Sequence, residues 1–338
     1  MIIECESPAR IDLAGGTIDI WPLYLFHENA LTVNLAINQR ALTRIEVRDD
    51  KRIVIESKDR NKIIEVDSLE GLKDIRDLGL ITKLIRFYKP DKGINLTTEC
   101  RAPQGSGLGG STSLNISVNG ALNYLTGERY SKEEMICIAK NIEARVIGVP
   151  TGEQDFYPAV YGGLNAIWLR VDGIKIESLK ADIKGLENRL VLCYTGLPRF
   201  SGTNNWEIMK RHIDGEEDIF NRLERIKNTA IRMRSALIEM DYNKIGAAME
   251  EEWDNRKGLS ENVSTDMIER LIHAASDKGA ISAKVCGAGG GGCIVLFTEE
   301  GSKGDVEEEL QKRGGRVIDF KTAAKGMEIR KVEVLSNK

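Results

Sequence analysis

At 338 residues the chain is long enough for two domains, and with 41% apolar and 30% charged residues it can bury a sizeable core beneath a well-solvated surface. Its formal net charge is −4 with acids and bases interleaved, which excludes a general electrostatic grip on nucleic acid. No apolar run approaches the roughly 20 residues that span a bilayer, and Glu4 and Glu6 interrupt the start, so the expectation is a cytoplasmic protein without membrane contact.

In chain order, 2–6 and 11–14 read as short strands on either side of Ser7-Pro8, followed by strands at 29–37, 42–48, 52–57 and 62–66. Leu80, Ile81, Leu84, Ile85 and Tyr88 fall at helical spacing and predict a helix within 69–88, with Gly79 breaking its first half and Pro90 beyond its end. A strand at 94–100 leads through a glycine loop into a helix at 111–125. A second helix, 132–146, is entered from Ser131 with Glu134 three residues later, a capping-box pattern. Strands follow at 165–171 and 190–194, separated by the charged stretch 180–188. The second half then reads as helices at 219–239, 242–254 and 265–278, strands at 281–286 and 292–297, a helix at 303–313, and strands at 316–320 and 328–334. Strands and helices come in runs rather than in regular alternation, so the fold class is α+β, with domains expected at 1–187 and 188–338.

The six cysteines show no C-x-x-C pair, and the expectation is reduced, mostly buried thiols. His27, His212 and His273 lack metal-site spacing and read as structural or surface residues; Trp206 and Trp253 read as packing groups on helices.

Three glycine loops carry the chemistry. The middle one, Pro103-Gln-Gly-Ser-Gly-Leu-Gly-Gly-Ser-Thr-Ser113, directly precedes a helix. Gly105, Gly107, Gly109 and Gly110 let the backbone approach a ligand, and the helix that follows aims its unpaired amides and positive dipole end at the same place. Ser111, Thr112 and Ser113 add hydroxyls suited to phosphate oxygen or a hard cation such as Mg²⁺. The loop also satisfies G-x-G-x-x-G, the dinucleotide fingerprint. However, the preceding segment Asn95-Leu-Thr-Thr-Glu99 is too polar for a strand covered on both faces, and the helix leads to another helix rather than to a second strand. No Lys-Ser/Thr pair follows the glycines, so it is not a Walker A loop either. The late loop, 287–292, lies between two apolar strands and brings backbone close to something bulky, either a nucleotide phosphate or a substrate. The early loop, Ala14-Gly-Gly-Thr17, precedes Asp19 in the same manner.

Together, Ser7-Pro-Ala-Arg-Ile-Asp-Leu-Ala-Gly-Gly-Thr-Ile-Asp19, the middle loop, and Lys284-Val-Cys-Gly-Ala-Gly-Gly-Gly-Gly-Cys293 resemble the three motifs of the GHMP kinases, in the family's order and spread over nearly the whole chain. The resemblance implies a ribosomal protein S5 domain 2-like N-terminal domain, a ferredoxin-like C-terminal domain and an active site between them. ATP would sit on Pro103, Gly105, Ser106, Gly107, Leu108, Gly109, Gly110, Ser111, Thr112 and Ser113. Within Glu143-Ala-Arg-Val-Ile-Gly-Val-Pro-Thr-Gly-Glu-Gln-Asp155, the resemblance makes Glu143, with Ser111, a ligand of Mg²⁺ and Asp155 the group that accepts or orients the acceptor's proton. Arg10 would hold Asp155 ionised and stabilise the transferring group. The acceptor would meet Gly15, Gly16, Thr17, Asp19, Gly287, Ala288, Gly289 and Gly290.

Gly-Gly-Thr-Ile-Asp replaces the Gly-Glu-His-Thr-Asp of galactokinases, and the Gly-Glu-His of mevalonate kinases is absent too. The Ala-Gly-Gly-Thr form, the Gln154-Asp155 pair and Thr195-Gly-Leu-Pro-Arg-Phe-Ser201 are most similar to the branch that phosphorylates the anomeric hydroxyl of a heptose 7-phosphate. Arg199 and Ser201 either touch a substrate phosphate or belong to an ordinary loop. The expectation is an ATP- and Mg²⁺-dependent kinase, monomer or homodimer, acting on a small-molecule sugar or sugar phosphate and on no nucleic acid. A galactokinase-like or mevalonate-type kinase is the alternative, with a dinucleotide-binding oxidoreductase more remote. Arg10, Ser111, Glu143 and Asp155 together speak against a silent binding protein.

Overall fold

The structure, a computed structural model, describes residues 1–198 and 201–332, without the side chains of 76 and 201–204. The first half builds β1 (Ile2–Ala14), β2 (Ala30–Val47), β3 (Ile53–Ser57), β4 (Lys62–Val66), α1 (Gly79–Tyr88), β5 (Ile94–Cys100), α2 (Gly110–Leu125), α3 (Lys132–Ile147), α4 (Phe156–Tyr161), β6 (Leu164–Arg170) and β7 (Gly173–Ser178). The second builds α5 (Ile183–Arg189), β8 (Leu190–Tyr194), α6 (Ser201–Ile213), α7 (Glu217–Glu239), α8 (Tyr242–Lys257), α9 (Asp266–Ser276), β9 (Ala280–Val285), β10 (Cys293–Thr298), α10 (Lys303–Lys312), β11 (Arg316–Val317) and β12 (Glu328–Val332).

Two sheets result. The larger has the order β12-β1-β2-β5-β3-β4, with β6 and β7 joined through the first part of β2; the smaller has the order β11-β8-β10-β9. Apart from the parallel β3–β5 pair, every pairing is antiparallel. Sheet membership changes between β7 and β8 and changes back at β12, which pairs with β1 from Ile2–Val332 to Glu6–Glu328. No single cut, at 187/188 or elsewhere, therefore separates the two sheets.

The two strands expected around Ser7-Pro8 are one strand, β1. Its pairing with β2 jumps from Pro8–Arg40 to Ala9–Ile37, leaving Asn38 and Gln39 unopposed. That bulge accommodates a proline with no N–H to give the ladder, and it likewise joins the two strands expected at 29–37 and 42–48 into the long β2. Residues 69–78 are two 3-10 turns, Leu69–Gly71 and Arg76–Leu78, before α1. The elements not predicted are α4, whose Pro158 sits in the first turn where a missing N–H breaks no helical bond, β7, an exposed edge strand, and α5 and α6, for which no range was expected.

α1 and α2 cover one face of the large sheet through Ile3, Ile45, Ile55, Leu84 and Val118. A second core joins both sheets, with Ile11 and Leu31 from the large one, Leu192 and Phe297 from the small one, and Met233, Leu237 and Met249 of α7 and α8 among them. α9 and α10 close the far face of the small sheet with Leu271 and Leu310 against Val191 and Ile294. Trp253 is core, as expected of a packing group, whereas Trp206 is half exposed. His27 is buried between Glu224 and His212. None of the six cysteines forms a disulfide. Among the described residues no helix is long and apolar enough to cross a membrane.

Candidate active site

The middle loop crosses the open end of α2 and is pinned by β1. Arg10 does this twice: its N–H donates to the Leu108 carbonyl (2.9 Å) and its Nη1 to the Gly107 carbonyl (2.6 Å). Gly109 is the N-cap of α2 in the left-handed region (φ 74°), with no side-chain cap, so the amides of Gly110, Ser111 and Thr112 have no intrahelical acceptor. A side chain at Gly109 would be strained by that φ and would lie 3.1 Å from the Asp155 carboxylate. The Asp155 carboxylate and the helix amides therefore face the same space. The Pro103 carbonyl closes the turn by accepting the Ser106 N–H at 3.0 Å.

The three hydroxyls after the glycines divide. Ser111 is exposed at the mouth of the site. Thr112 Oγ1 donates to Glu143 Oε2 at 3.2 Å, and Ser113 Oγ donates to the Pro8 carbonyl at 2.6 Å, tying α2 to β1. The hydroxyl that reaches Glu143 is thus that of Thr112, while Ser111 remains open to solvent.

Glu143 comes to the start of α2 because asparagines on α2 dock α3 alongside it. Asn115, Asn119 and Asn123, one helical turn apart, donate through Nδ2 to the carbonyls of Ala139 (2.8 Å), Met135 (3.0 Å) and Tyr130 (2.9 Å). Sequence reasoning passed over this ladder, although polar residues repeating every four positions in an otherwise apolar helix were a visible signal. Burial, with the negative charge of Asp155 nearby, pushes the Glu143 carboxyl up to about 7.

Asp155 stands at the N-cap of α4 but makes no capping bond. Its carboxylate pairs instead with Arg10 Nη2 at 2.5 Å, where Arg10 is 2% and Asp155 23% exposed, so the acid keeps one side toward the cleft. Burial works against the Arg10 cation, yet Asp155 and Asp12 raise its pKa further. Asp19 is buried, its Oδ2 receives the Gln154 N–H at 2.9 Å, and burial raises it to about 7. Its backbone carbonyl receives the Glu153 N–H (3.0 Å), and the Glu153 side chain is held by Lys140 (2.7 Å). Arg10, Asp19, Glu143 and Asp155 therefore gather around the open end of α2.

The late loop reaches the same place from the small sheet. The Cys293 N–H donates to the Ser106 carbonyl (2.7 Å), while Gly290 and Gly292 donate to Val263 (2.8 Å) and Leu197 (2.8 Å). Gly289 and Gly290 thus pack on protein backbone, and Gly287 and Ala288 lie buried at the start of the loop. In the early loop, Gly15 packs on the Leu31 carbonyl and Thr17 is buried. Arg199 lies outside the described residues, as does the side chain of Ser201.

Four charged residues escaped sequence reasoning: Asp12 of β1, Glu252 and Arg256 of α8, and Lys284 of β9, all buried in mutual contact. Asp12 shares a strand face with Arg10, and Lys284 interrupts an apolar strand; these were the available signals.

The models of the GHMP kinase N-terminal and C-terminal domains match residues 78–163 and 233–316. A D-glycero-alpha-D-manno-heptose 7-phosphate kinase of Campylobacter jejuni is 31% identical over 336 residues, covering 96% of this chain and 98% of its own. The chain belongs to the GHMP kinases. Within this family it is also similar to a mevalonate kinase of Thermococcus sibiricus, 26% identical with 97% of this chain and 98% of the other covered. A crystal structure of a D-glycero-D-manno-heptose 1-phosphate kinase from Bacteroides thetaiotaomicron superposes with a TM-score of 0.79 at 26% identity, covering 98% of this GHMP kinase and all (100%) of that chain. The protein is thus a small-molecule kinase with the GHMP fold.

Proposed function

We propose that this GHMP kinase transfers the γ-phosphoryl group of ATP to a hydroxyl of a sugar phosphate, and that the acceptor is the anomeric hydroxyl of a heptose 7-phosphate or a close relative. The observation that carries the reading is the Arg10–Asp155 pair lying beside the uncapped amides of α2. Those amides suit the phosphates of the donor. Asp155 orients the acceptor hydroxyl and takes its proton at the carboxylate as the new O–P bond forms and the bond to the departing ADP breaks. Arg10 fixes the carboxylate's direction and, with the helix end, favours negative charge on the group in transit. Asp19 is suited to hold sugar hydroxyls, since a carboxylate accepts bonds from two neighbouring O–H groups. Similarity to the heptose 7-phosphate kinase over nearly the whole chain favours that acceptor.

The residues also fit Mg²⁺. Glu143 is buried beside Asp155 with like charges facing one another, and Thr112 and Ser111 add hard oxygen donors. Glu143 and a first-turn hydroxyl would hold the ion, which when bound neutralises donor phosphate charge.

A panel of free and phosphorylated hexoses and heptoses, with mevalonate, incubated with ATP and Mg²⁺ and followed by ³¹P NMR, tests the reading. A new anomeric phosphate on a heptose 7-phosphate is expected. Turnover of mevalonate alone, or phosphorylation only at a non-anomeric hydroxyl, overturns it.

A further inference from the structure

Beneath the early loop lies a group of four charges with almost no access to water: Asp12, Glu252 and Lys284 are 0% exposed and Arg256 is 1%. Asp12 Oδ2 meets Arg256 Nη1 at 2.9 Å and Asp12 Oδ1 meets Lys284 Nζ at 3.0 Å. Glu252 Oε1 meets the same two cations at 3.1 and 3.0 Å. Two carboxylates and two cations cancel, so the group can be buried without net charge. Burying it is still a poor route to stability, because desolvation offsets most of the Coulomb gain. What a planar guanidinium supplies is direction.

That direction is upward into the acceptor side. Arg256 Nη2 donates a further hydrogen bond to Thr17 Oγ1 at 3.0 Å. Thr17 holds a left-handed backbone (φ 75°), which a β-branched residue adopts only under constraint. A Cβ at Gly16 would lie 2.2 Å from Asp12 Oδ2 and 2.3 Å from Arg256 Nη2, so the guanidinium sits directly against the turn. Asp19 follows two residues later. Asp12 lies on β1 of the large sheet, whereas Arg256 and Lys284 lie on α8 and β9 with the small one, so the turn carrying Asp19 is held from the opposite half of the molecule.

We propose that Arg256, fixed by Asp12, Glu252 and Lys284, is a positioning residue for the acceptor pocket: its bond to Thr17 holds the 15–19 turn, and through it Asp19, in the geometry that receives the sugar. The proposal rests on the reading of Asp19 as acceptor-binding. Two variants probe it. Thr17→Val removes the hydroxyl and leaves all four charges in place; Arg256→Lys keeps the charge and removes the fork. Each is expected to raise the acceptor KM about tenfold, the worth of one such bond, with the ATP KM within about twofold of wild type. The double variant should be no worse than either single one, because both break the same bond. Amide hydrogen exchange at 15–20, measured on the full chain without substrate, should quicken in both. A lowered melting temperature with exchange at 15–20 and acceptor KM unchanged overturns the proposal and leaves a purely structural tie. Should wild type phosphorylate no sugar, the proposed function fails while the exchange measurement still decides for or against the role of Arg256. If Arg256→Lys does not fold, Thr17→Val alone carries both measurements.

Discussion

The middle loop, 105–110, and the late loop, 287–292, are alike in composition and touch at Ser106, yet their backbone amides face different partners. The middle loop opens into α2 with no side-chain cap, leaving first-turn amides pointing at the space where Asp155 and Glu143 meet. In the late loop, Gly290 and Gly292 already donate to Val263 and Leu197, and the Cys293 N–H grips Ser106. On the proposed reading, one loop is a receptor for phosphate and the other, bonded to protein backbone, is the brace that keeps its shape. A glycine run signals only that side chains are unwelcome; whether ligand or protein occupies the space depends on where the free amides point.

The largest effect should come at the acid beside the middle loop. Asp155→Asn should lower turnover about 10²–10⁴-fold, with ATP affinity by titration calorimetry near wild type; undiminished turnover would move the chemistry elsewhere. The two loops themselves come next. Gly109→Ala forces a side chain into the left-handed region against Asp155, and should raise the ATP KM and depress kcat with modest loss of stability. Gly292→Ala, whose Cβ would lie 2.6 Å from the Ser106 carbonyl at φ 81°, should instead cost about 1–3 kcal/mol in denaturant unfolding. The reverse pattern would break the division between receptor and brace.

Glu143 gives a subtler test. Its carboxyl is raised to about 7 in the folded chain from an unfolded value of 4.5, so the folded state holds its proton longer. The stability this contributes is complete below pH 4.5 and is lost as pH rises through 7. Asp19, raised from 3.8 to about 7, acts in the same direction. Melting temperatures without ligand should therefore fall across that range, and Glu143→Gln should flatten the fall while raising the Mg²⁺ concentration needed for half-maximal rate. The smallest effect belongs to Ser113→Ala, which loses a buried bond to Pro8 worth about 1 kcal/mol and should leave the ATP KM within about twofold.

The site was legible where its groups are local. Gly109, Thr112 and Ser113 fall within five residues, and the family resemblance pointed to Arg10 in the first motif and to Glu143 and Asp155 in the segment 143–155. The buried charges were not legible, because Asp12 meets Arg256 and Lys284 across 244 and 272 residues of chain. In a linear reading Glu252 and Arg256 look like an ordinary solvated helix pair four residues apart. For the fold, alternation found most strands but split β1 and β2 at a proline that a bulge absorbs. It missed α4, whose aromatic residues carry strand propensity and whose five consecutive buried residues, 156–160, show no helical periodicity.

The return of β12 to β1 has a consequence for how the molecule is made. During synthesis β1 emerges early, and β12 arrives only after the whole small sheet has been delivered. Until then the outer edge of β1 presents unpaired N–H and C=O groups, the kind of edge that invites pairing with another chain. Closing that edge makes completion of the first sheet depend on residues beyond the second. A nascent chain stalled before Glu328 would hold all three glycine loops but leave that edge of β1 unpaired.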